Sequence, residues 1–165
     1  WTLPDADGAN GEALTTNGSG SLSWAAPAAS FTVSNAGYLT RGGTNPSYDG
    51  FGPGINGSNT PTDVGVPIST SGTIDAFYVY STCQIAAISG DNTITATIYK
   101  NGSPTSCTVS FTLLASATQG QVIGTFSDVT HSVSVTAGDI LSIQWNQSNV
   151  NNGAIPYFAY SVHFH

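Results

Sequence analysis

The end of the chain carries two residues with the types and spacing of metal ligands. His163 and His165 are separated by one residue, and alternate side chains of a β-strand lie on the same face. Two imidazoles on one face can bind a transition metal, and three chains meeting at an axis would bring six imidazole nitrogens to one ion. The simpler interpretation is a terminal strand that ends in two edge histidines.

Two segments rich in Gly, Pro and Asn combine aromatic residues with amides, as sugar-binding sites do. They cover residues 38–69 and 145–157. A sugar ring needs an apolar face for stacking and amide or carboxylate groups for its hydroxyls. Both segments are also compatible with solvated loops, and the first with a loop along a neighbouring subunit. The candidate receptor or glycan contacts are Arg41, Asn45, Tyr48, Asp49, Phe51, Trp145, Asn146 and Asn149.

The two cysteines, Cys83 and Cys107, fall on predicted strands. They predict either one disulfide between neighbouring strands or two buried, small apolar side chains. Neither has the basic, exposed setting that a catalytic thiolate needs.

Other catalytic patterns are missing from the sequence. There is no GxSxG motif, and the histidines lack a recognisable Ser or Cys context. Asp5 and Asp7 resemble part of a calcium loop, but the other ligands are missing, so we interpret them as turn residues. No carboxylate pair has a spacing that indicates a glycosidase. We therefore expect no enzymatic activity.

The composition excludes several classes of partner. Charged residues make up 7% of the chain, which has a net charge of −7 and only two basic residues. Such a chain cannot neutralise phosphates, which argues against binding to nucleic acid or to anionic membranes. Ser, Thr, Asn and Gly supply the polar positions, which suits an extracellular particle. Because the chain lacks Met and begins with Trp, we expect it to be a mature fragment or the C-terminal part of a longer protein.

The apolar residues alternate with period two almost throughout, which predicts an all-β sandwich or barrel. Residues 73–88 form one long predicted strand, and Asn101-Gly102 is a strong hairpin signal. Folding the chain about that turn places Cys107 near Ala96 and Val109 near Ile94. Residues 133–135 enter a second predicted turn at 137–139.

The final predicted strand, YFAYSVHFH, has large side chains on both faces. This pattern predicts burial on both sides, the second side being covered by the core of a larger sheet or by another subunit. One face carries Tyr157, Ala159, Ser161, His163 and His165, and the other carries Phe158, Tyr160, Val162 and Phe164.

The first 29 residues have too few apolar side chains to fold alone, and we expect them to need partners. Identical copies side by side would bring their Leu and Trp side chains together. We therefore divide the chain into a stalk segment with linker, residues 1–29, and a head domain, residues 30–165.

The stretch LPDADGANGEALTTNGSGSLSW resembles the stalk repeat of bacteriophage tail fibres and related surface fibres, LPxADGxxGxxLTTxGxGxLSW. Trp1 would end a preceding copy and Trp24 this one. The sequence departs from the commonest form at Glu12-Ala13, where Gln-Val is usual, and at Asn17, where Asp is usual.

Residues 72–147 are similar, more weakly, to the jelly-roll head domains of the tumour-necrosis-factor and C1q type found on viral and bacterial fibres. The resemblance implies a jelly-roll-like β-sandwich that forms a homotrimer. Some tail-fibre tips also resemble the end of this chain in using His-x-His pairs along a trimer axis, so an axial transition metal at His163 and His165 is the only cofactor implied.

Together the resemblances imply a fibre tip, a structural protein of the virion surface or another extracellular particle, that attaches to a cell-surface polysaccharide or other receptor. Three weak sites on one rigid head would act by avidity. The alternatives are a decoration or surface-filament protein without a receptor and, less favoured, a polysaccharide-degrading fibre enzyme.

Overall fold

The computed structural model describes residues 1–25, 30–39, 42–43, 45–51, 56–58 and 60–165. This part of the chain contains strands, turns and loops but no helix, so the predicted all-β class is confirmed. The chain forms two compact units, Trp1–Ser30 and Phe31–His165.

Thirteen strands are found in the described residues. They are β1 (Ala13–Thr16), β2 (Leu22–Ala25), β3 (Phe31–Tyr38), β4 (Ser47–Asp49), β5 (Asn56–Ser58), β6 (Val66–Pro67), β7 (Gly72–Ile85), β8 (Asn92–Lys100), β9 (Ser103–Leu113), β10 (Val122–Asp128), β11 (Val133–Val135), β12 (Ile140–Gln147) and β13 (Ile155–Phe164).

The first unit is a small hairpin with an added segment. Strands β1 and β2 pair antiparallel, and Thr2 bridges to Ser21 beside them. The Trp24 indole N–H donates to the Ala6 carbonyl at 2.8 Å. Gly8 lies under the Trp24 ring, where an added Cβ would be 2.6 Å from the ring atoms. The largest apolar side chains of the first unit are nevertheless exposed: Trp1, Leu3, Leu14 and Trp24.

The second unit is a jelly-roll-like β-sandwich of two antiparallel sheets. Sheet I has the order β10-β7-β13-β3, with β11 also paired to β7. Sheet II has the order β5-β4-β12-β8-β9, with β6 also paired to β12. The chain crosses between the sheets several times, and the terminal strand β13 lies inside sheet I, between β7 and β3.

One apolar core lies between the sheets, because each long strand turns alternate residues inward. Trp145 of sheet II stacks on Phe158 of sheet I, with ring centroids 3.9 Å apart. Further ring pairs extend the packing, Phe31 on Phe164 and Phe111 on Phe126.

The predicted hairpin at Asn101-Gly102 is confirmed. Both residues have positive φ, 51° and 78°, as a two-residue turn between twisted strands requires. The predicted register holds only next to the turn. Beyond a bulge in β9, Ala96 pairs with Val109 and Ile94 with Phe111, two residues from the predicted partners. Because the shift is even, the apolar side chains keep their predicted face.

The turn at residues 137–139 connects the two sheets. Strand β11 before it pairs with β7 of sheet I, and β12 after it pairs with β8 of sheet II. The polypeptide therefore crosses from one side of the core to the other at this point.

Strand β13 is buried on one face only within the single chain. Phe158, Tyr160, Val162 and Phe164 are in the core, whereas Tyr157 and His165 on the other face are exposed. The sequence predicts burial of both faces of this strand, but no described part of the second unit covers the face of Tyr157 and His165.

Candidate functional site

The structure does not support the predicted aromatic contacts for a glycan. Tyr48, Phe51 and Trp145 are all buried, so the prediction that they stack on sugar rings at the surface is wrong. Phe51 packs edge-on against Tyr160, and Tyr48 packs edge-on against Tyr99. The reason is packing: Phe51 joins the apolar core against Tyr160 of sheet I, and Tyr48 packs beside Tyr99 of sheet II.

The polar residues predicted beside these rings hold the loops in place. Asn45 and Gln147 exchange two hydrogen bonds of 2.8 Å, from the Asn45 amide to the Gln147 carbonyl and from the Gln147 N–H to Asn45 Oδ1. The Asn149 amide donates to the carbonyl of Ser89 at 2.9 Å. Asp49 is buried. Among the predicted glycan contacts, only Asn146 is both exposed and part of a strand. Arg41 lies outside the described residues.

The sequence contains a pattern that predicts the burial of Trp145. Leu141, Ile143 and Trp145 continue one period-two series through β12, and all three are fully buried. Assigning Trp145 to the following loop ignored this series. Tyr48 and Phe51 have no comparable signal, since β4, which contains Tyr48 and ends two residues before Phe51, has only three residues.

The two cysteines are free and buried, so the predicted disulfide is absent and the alternative of buried small side chains is correct. Burial raises the pKa of the Cys83 thiol. Burial and the nearby Asp128 carboxylate raise the pKa of Cys107 to about 11. Both groups therefore stay protonated near neutral pH.

A Cys, a His and an Asp do meet at the end of β10, a cluster that sequence reasoning missed. His131 Nδ1 lies 2.9 Å from Asp128 Oδ2, but the Cys107 thiol donates to the backbone carbonyl of His131 rather than to its ring, at 3.6 Å. The imidazole is thus not placed to remove the thiol proton. The arrangement lacks the contact that activates a cysteine nucleophile.

Asp128 acts instead as a structural acceptor. Burial alone would raise the pKa of its carboxyl, but hydrogen bonds from the Thr108 N–H, from His131 and from Thr130 outweigh burial and lower it to about 2. Because Asp128 ends β10 and Thr108 belongs to β9, the carboxylate joins the edges of sheets I and II.

The two terminal histidines lie beside a carboxylate from the neighbouring strand. His163 Nδ1 is 2.6 Å from Asp75 Oδ1, and His165 Nδ1 is 3.1 Å from Asp75 Oδ2. Among the described residues, these form the one group of three or more His, Cys, Asp or Glu side chains whose ligand atoms all lie within 4.8 Å of one another. The hydrogen bond from His163 holds the pKa of the Asp75 carboxyl below its ordinary value. Sequence reasoning found the histidines but not Asp75, which is 88 residues from His163.

The outer surface of sheet I carries four tyrosines. They are between 40% and 52% exposed, and small side chains lie between them, so that grooves of about 350 and 630 Å³ run along β3, β13 and β7. None of the residues lining these grooves carries a formal charge. We call this surface the tyrosine face; it comprises Ser34, Ala36, Tyr38, Tyr78, Tyr80, Tyr157, Ala159 and Ser161.

The outer surface of sheet II carries hydroxyl and amide groups on β8, β9 and β12, beside the ring pair of Tyr48 and Tyr99. Across β8 and β9, Thr93 pairs with Thr112, Thr95 with Ser110 and Thr97 with Thr108, with oxygen–oxygen distances of 3.0 to 3.3 Å. Gln144 and Asn146 of β12 continue these rows, because they lie opposite Thr97 and Thr95. We call this surface the hydroxyl face; it comprises Thr93, Thr95, Thr97, Thr108, Ser110, Thr112, Gln144 and Asn146.

Comparison with known proteins does not assign a family. No protein-family model matches the chain, and no curated protein matches it. Among solved structures, the chain is similar to VP2 of infectious bursal disease virus in its subviral particle, with 11% identity and a TM-score of 0.19. That match covers 91% of this chain and 45% of the other, and at this TM-score it carries no argument.

No helix long and apolar enough to cross a membrane is found among the described residues.

Proposed function

We propose that this chain is a non-catalytic attachment module at the tip of a surface fibre. Three copies would assemble through the tyrosine face, and the hydroxyl face of each copy would bind neutral polysaccharide on a target cell. The observation that carries this proposal is the uncharged tyrosine face, on the sheet that contains the terminal strand.

Self-assembly is supported by the chemistry of the tyrosine face. Large exposed apolar surfaces are uncommon on monomers and mark interaction sites, and tyrosine is enriched in protein interfaces. Identical copies would not repel one another here, since the groove residues carry no formal charge. The number three comes from the resemblance of the sequence to trimeric fibre heads.

Glycan contact is supported by the chemistry of the hydroxyl face. Its rows of Thr and Ser lie about 4.8 Å apart across the strands and repeat about every 6.8 Å along them, and Asn146 adds an exposed amide. Uncharged donors and acceptors suit the hydroxyls of a neutral sugar, although a flat face binds each sugar weakly. Three faces on one head would raise the affinity through avidity.

The assembly part of the proposal is tested by sedimentation equilibrium. The wild-type mass should be three times the 16.9 kDa of one chain. Tyr80→Asp places a charge on the tyrosine face and should give monomers. Thr108→Asp adds the same charge to an exposed position of the hydroxyl face and should leave the trimer intact. A wild-type monomer would contradict the assembly proposal.

The attachment part is tested with fluorescently labelled protein on a panel of bacterial cells, before and after removal of surface polysaccharide. We expect saturable binding to a few strains that is lost on stripping. Replacing Thr108 and Asn146 together by Ala should weaken binding about tenfold or more in a trivalent head. Ser134→Ala removes an exposed hydroxyl outside the hydroxyl face and is the control.

The other outcomes identify the alternatives. Absence of binding to every strain would favour a decoration or surface-filament protein. If the protein released oligosaccharides from the polysaccharide removed from the cells, that result would contradict a non-catalytic role.

A further inference from the structure

The cluster of Asp75, His163 and His165 lies in a defined part of sheet I. Between His163 and Phe164 the register of β13 on β7 shifts by one residue, so that Asp75 is the extra residue of β7 opposite this step. Beyond the shift, Thr73 and His165 exchange two backbone hydrogen bonds of 2.8 and 3.1 Å. The two strands are therefore paired on both sides of Asp75.

The donor set suits a transition metal. Two imidazole nitrogens and one carboxylate oxygen are ligands of zinc and of other divalent first-row ions, whereas calcium and magnesium prefer oxygen alone. Ligands bonded at about 2.1 Å to one ion lie about 3.0 to 3.4 Å from one another. The two His–Asp separations of 2.6 and 3.1 Å are already close to that range.

The cluster is also open to solvent. The side chains of His163, Asp75 and His165 are between 36% and 50% exposed. A depression of about 440 Å³ begins at Asp75 and His163, and its lining includes Thr32 and two residues at the edge of the tyrosine face, Tyr78 and Ser161. An ion held by three protein ligands would keep coordination positions for water or for an oxygen ligand from this side.

We propose that Asp75, His163 and His165 of a single chain together bind one divalent transition-metal ion of the zinc type. On binding, each Nδ1 proton that faces the carboxylate passes to solvent while Nε2 carries the one remaining ring proton, so that both imidazoles bind as neutral ligands through Nδ1 and the metal takes the place of the two protons. The ion cross-links the end of β13 to β7. This site is distinct from an axial site shared by three chains, because the carboxylate and both imidazoles come from the same chain.

The other His–Asp pair of the protein is a matched control. His131 Nδ1 also lies about 3 Å from a carboxylate, that of Asp128. That carboxylate already accepts from the backbone N–H groups of Thr108, Thr130 and His131, and no second imidazole is near it in the described part of the chain. His131→Ala should therefore leave metal binding unchanged.

The test is a titration of chelator-treated full-length protein with Zn²⁺ by calorimetry, repeated with Co²⁺ by visible absorption. We expect one ion per chain. Asp75→Asn, His163→Ala and His165→Ala should each weaken binding at least tenfold, and the double histidine variant should abolish it. Circular dichroism checks folding. Should Asp75→Asn not fold, His165→Ala carries the test, because the His165 side chain is the most exposed of the three.

Three results would overturn the proposal. They are no zinc binding by the folded wild type, binding that survives in the double histidine variant, and one ion per three chains. The last result would indicate instead an axial site built from the histidines of three subunits. Because the readout is metal stoichiometry, none of these results depends on whether the protein binds cells.

Discussion

The two outer faces of the sandwich differ in chemistry although their strands share one core. Both sheets turn aliphatic and aromatic side chains inward. Outward, sheet I presents half-exposed tyrosines with small residues between them, whereas sheet II presents paired hydroxyls. Hydroxyls are well solvated in water, whereas burying the exposed rings under another surface lowers the free energy. The inward pattern is therefore common to both sheets, and the two sheets differ in their outward residues.

The largest effect is expected for the side chain that joins the two sheets. Trp145 belongs to sheet II, is fully buried and stacks on Phe158 of sheet I. Trp145→Ala should lower the free energy of unfolding by about 3 to 5 kcal/mol, because it leaves a large cavity between the sheets. Urea denaturation followed by far-UV circular dichroism measures the loss.

Trp145→Phe is the matched control for this cavity. It keeps a ring and removes an indole N–H that has no hydrogen-bond partner among the described residues, so its cost should be clearly smaller. If both faces depend on one core, unfolding of the second unit stays a single transition. Two separate transitions for that unit would show that the sheets are independent.

The next effect concerns the polar link between the sheets. The pKa of Asp128 is about 2, against an ordinary value of 3.8, so the unfolded carboxyl takes up a proton at a higher pH than the folded one. The stabilisation is complete above about pH 5 and is lost as the pH falls through about 4 to 2. It should amount to about 2 kcal/mol, and Asp128→Asn should remove most of it.

Urea denaturation at several pH values checks this second expectation. Between pH 6 and pH 3 the wild type should lose more stability than Asp128→Asn does, since the variant no longer titrates at this position. Asp5→Asn, in the first unit, serves as the control for removal of a carboxylate. Equal pH dependence in wild type and Asp128→Asn would show that this carboxylate is not the link.

The sequence predicted the fold more fully than the sites, and particular residues explain why. Alternation identified β8, β9 and β13 because their inward side chains repeat every second residue. The turn at Asn101-Gly102 fixed the hairpin, but the bulge in β9 has no equally strong local signal, so the register away from the turn was wrong. Local patterns predict local structure well.

The site residues depend on contacts between distant parts of the chain. Asp75 and His163 meet only because β13 inserts beside β7, which the spacing of residues within one strand does not reveal. Likewise, Tyr48 and Phe51 look exposed in a segment rich in Gly and Pro, and only the packing against Tyr99 and Tyr160 buries them. Burial of a loop aromatic is a tertiary property that composition does not predict.

A smaller effect distinguishes the two faces directly. Tyr80→Ser and Thr95→Val each change an outward residue, and each should alter the stability of the isolated chain by no more than about 0.5 kcal/mol. If the tyrosine face is covered in an assembly, the Tm of the wild type rises with protein concentration. Tyr80→Ser should flatten this dependence and Thr95→Val should not. Identical behaviour of the two variants would remove the proposed difference between the faces.

The smallest effect concerns the two cysteines, one inward from each sheet. Cys83 lies on β7 of sheet I and Cys107 on β9 of sheet II, and both are buried and free. With a pKa of about 11, only about one in a thousand Cys107 thiols is ionised at pH 8. The folded protein should therefore react with a thiol reagent only on the time scale of unfolding, and the denatured, unreduced protein should give two thiols per chain.

Two thiols would mean that the sheets are joined by packing and by the Asp128 hydrogen bonds, since no covalent bond connects these two strands. No thiols in the denatured protein would instead indicate an oxidised pair, and the stability of the shared core would then include a cross-link.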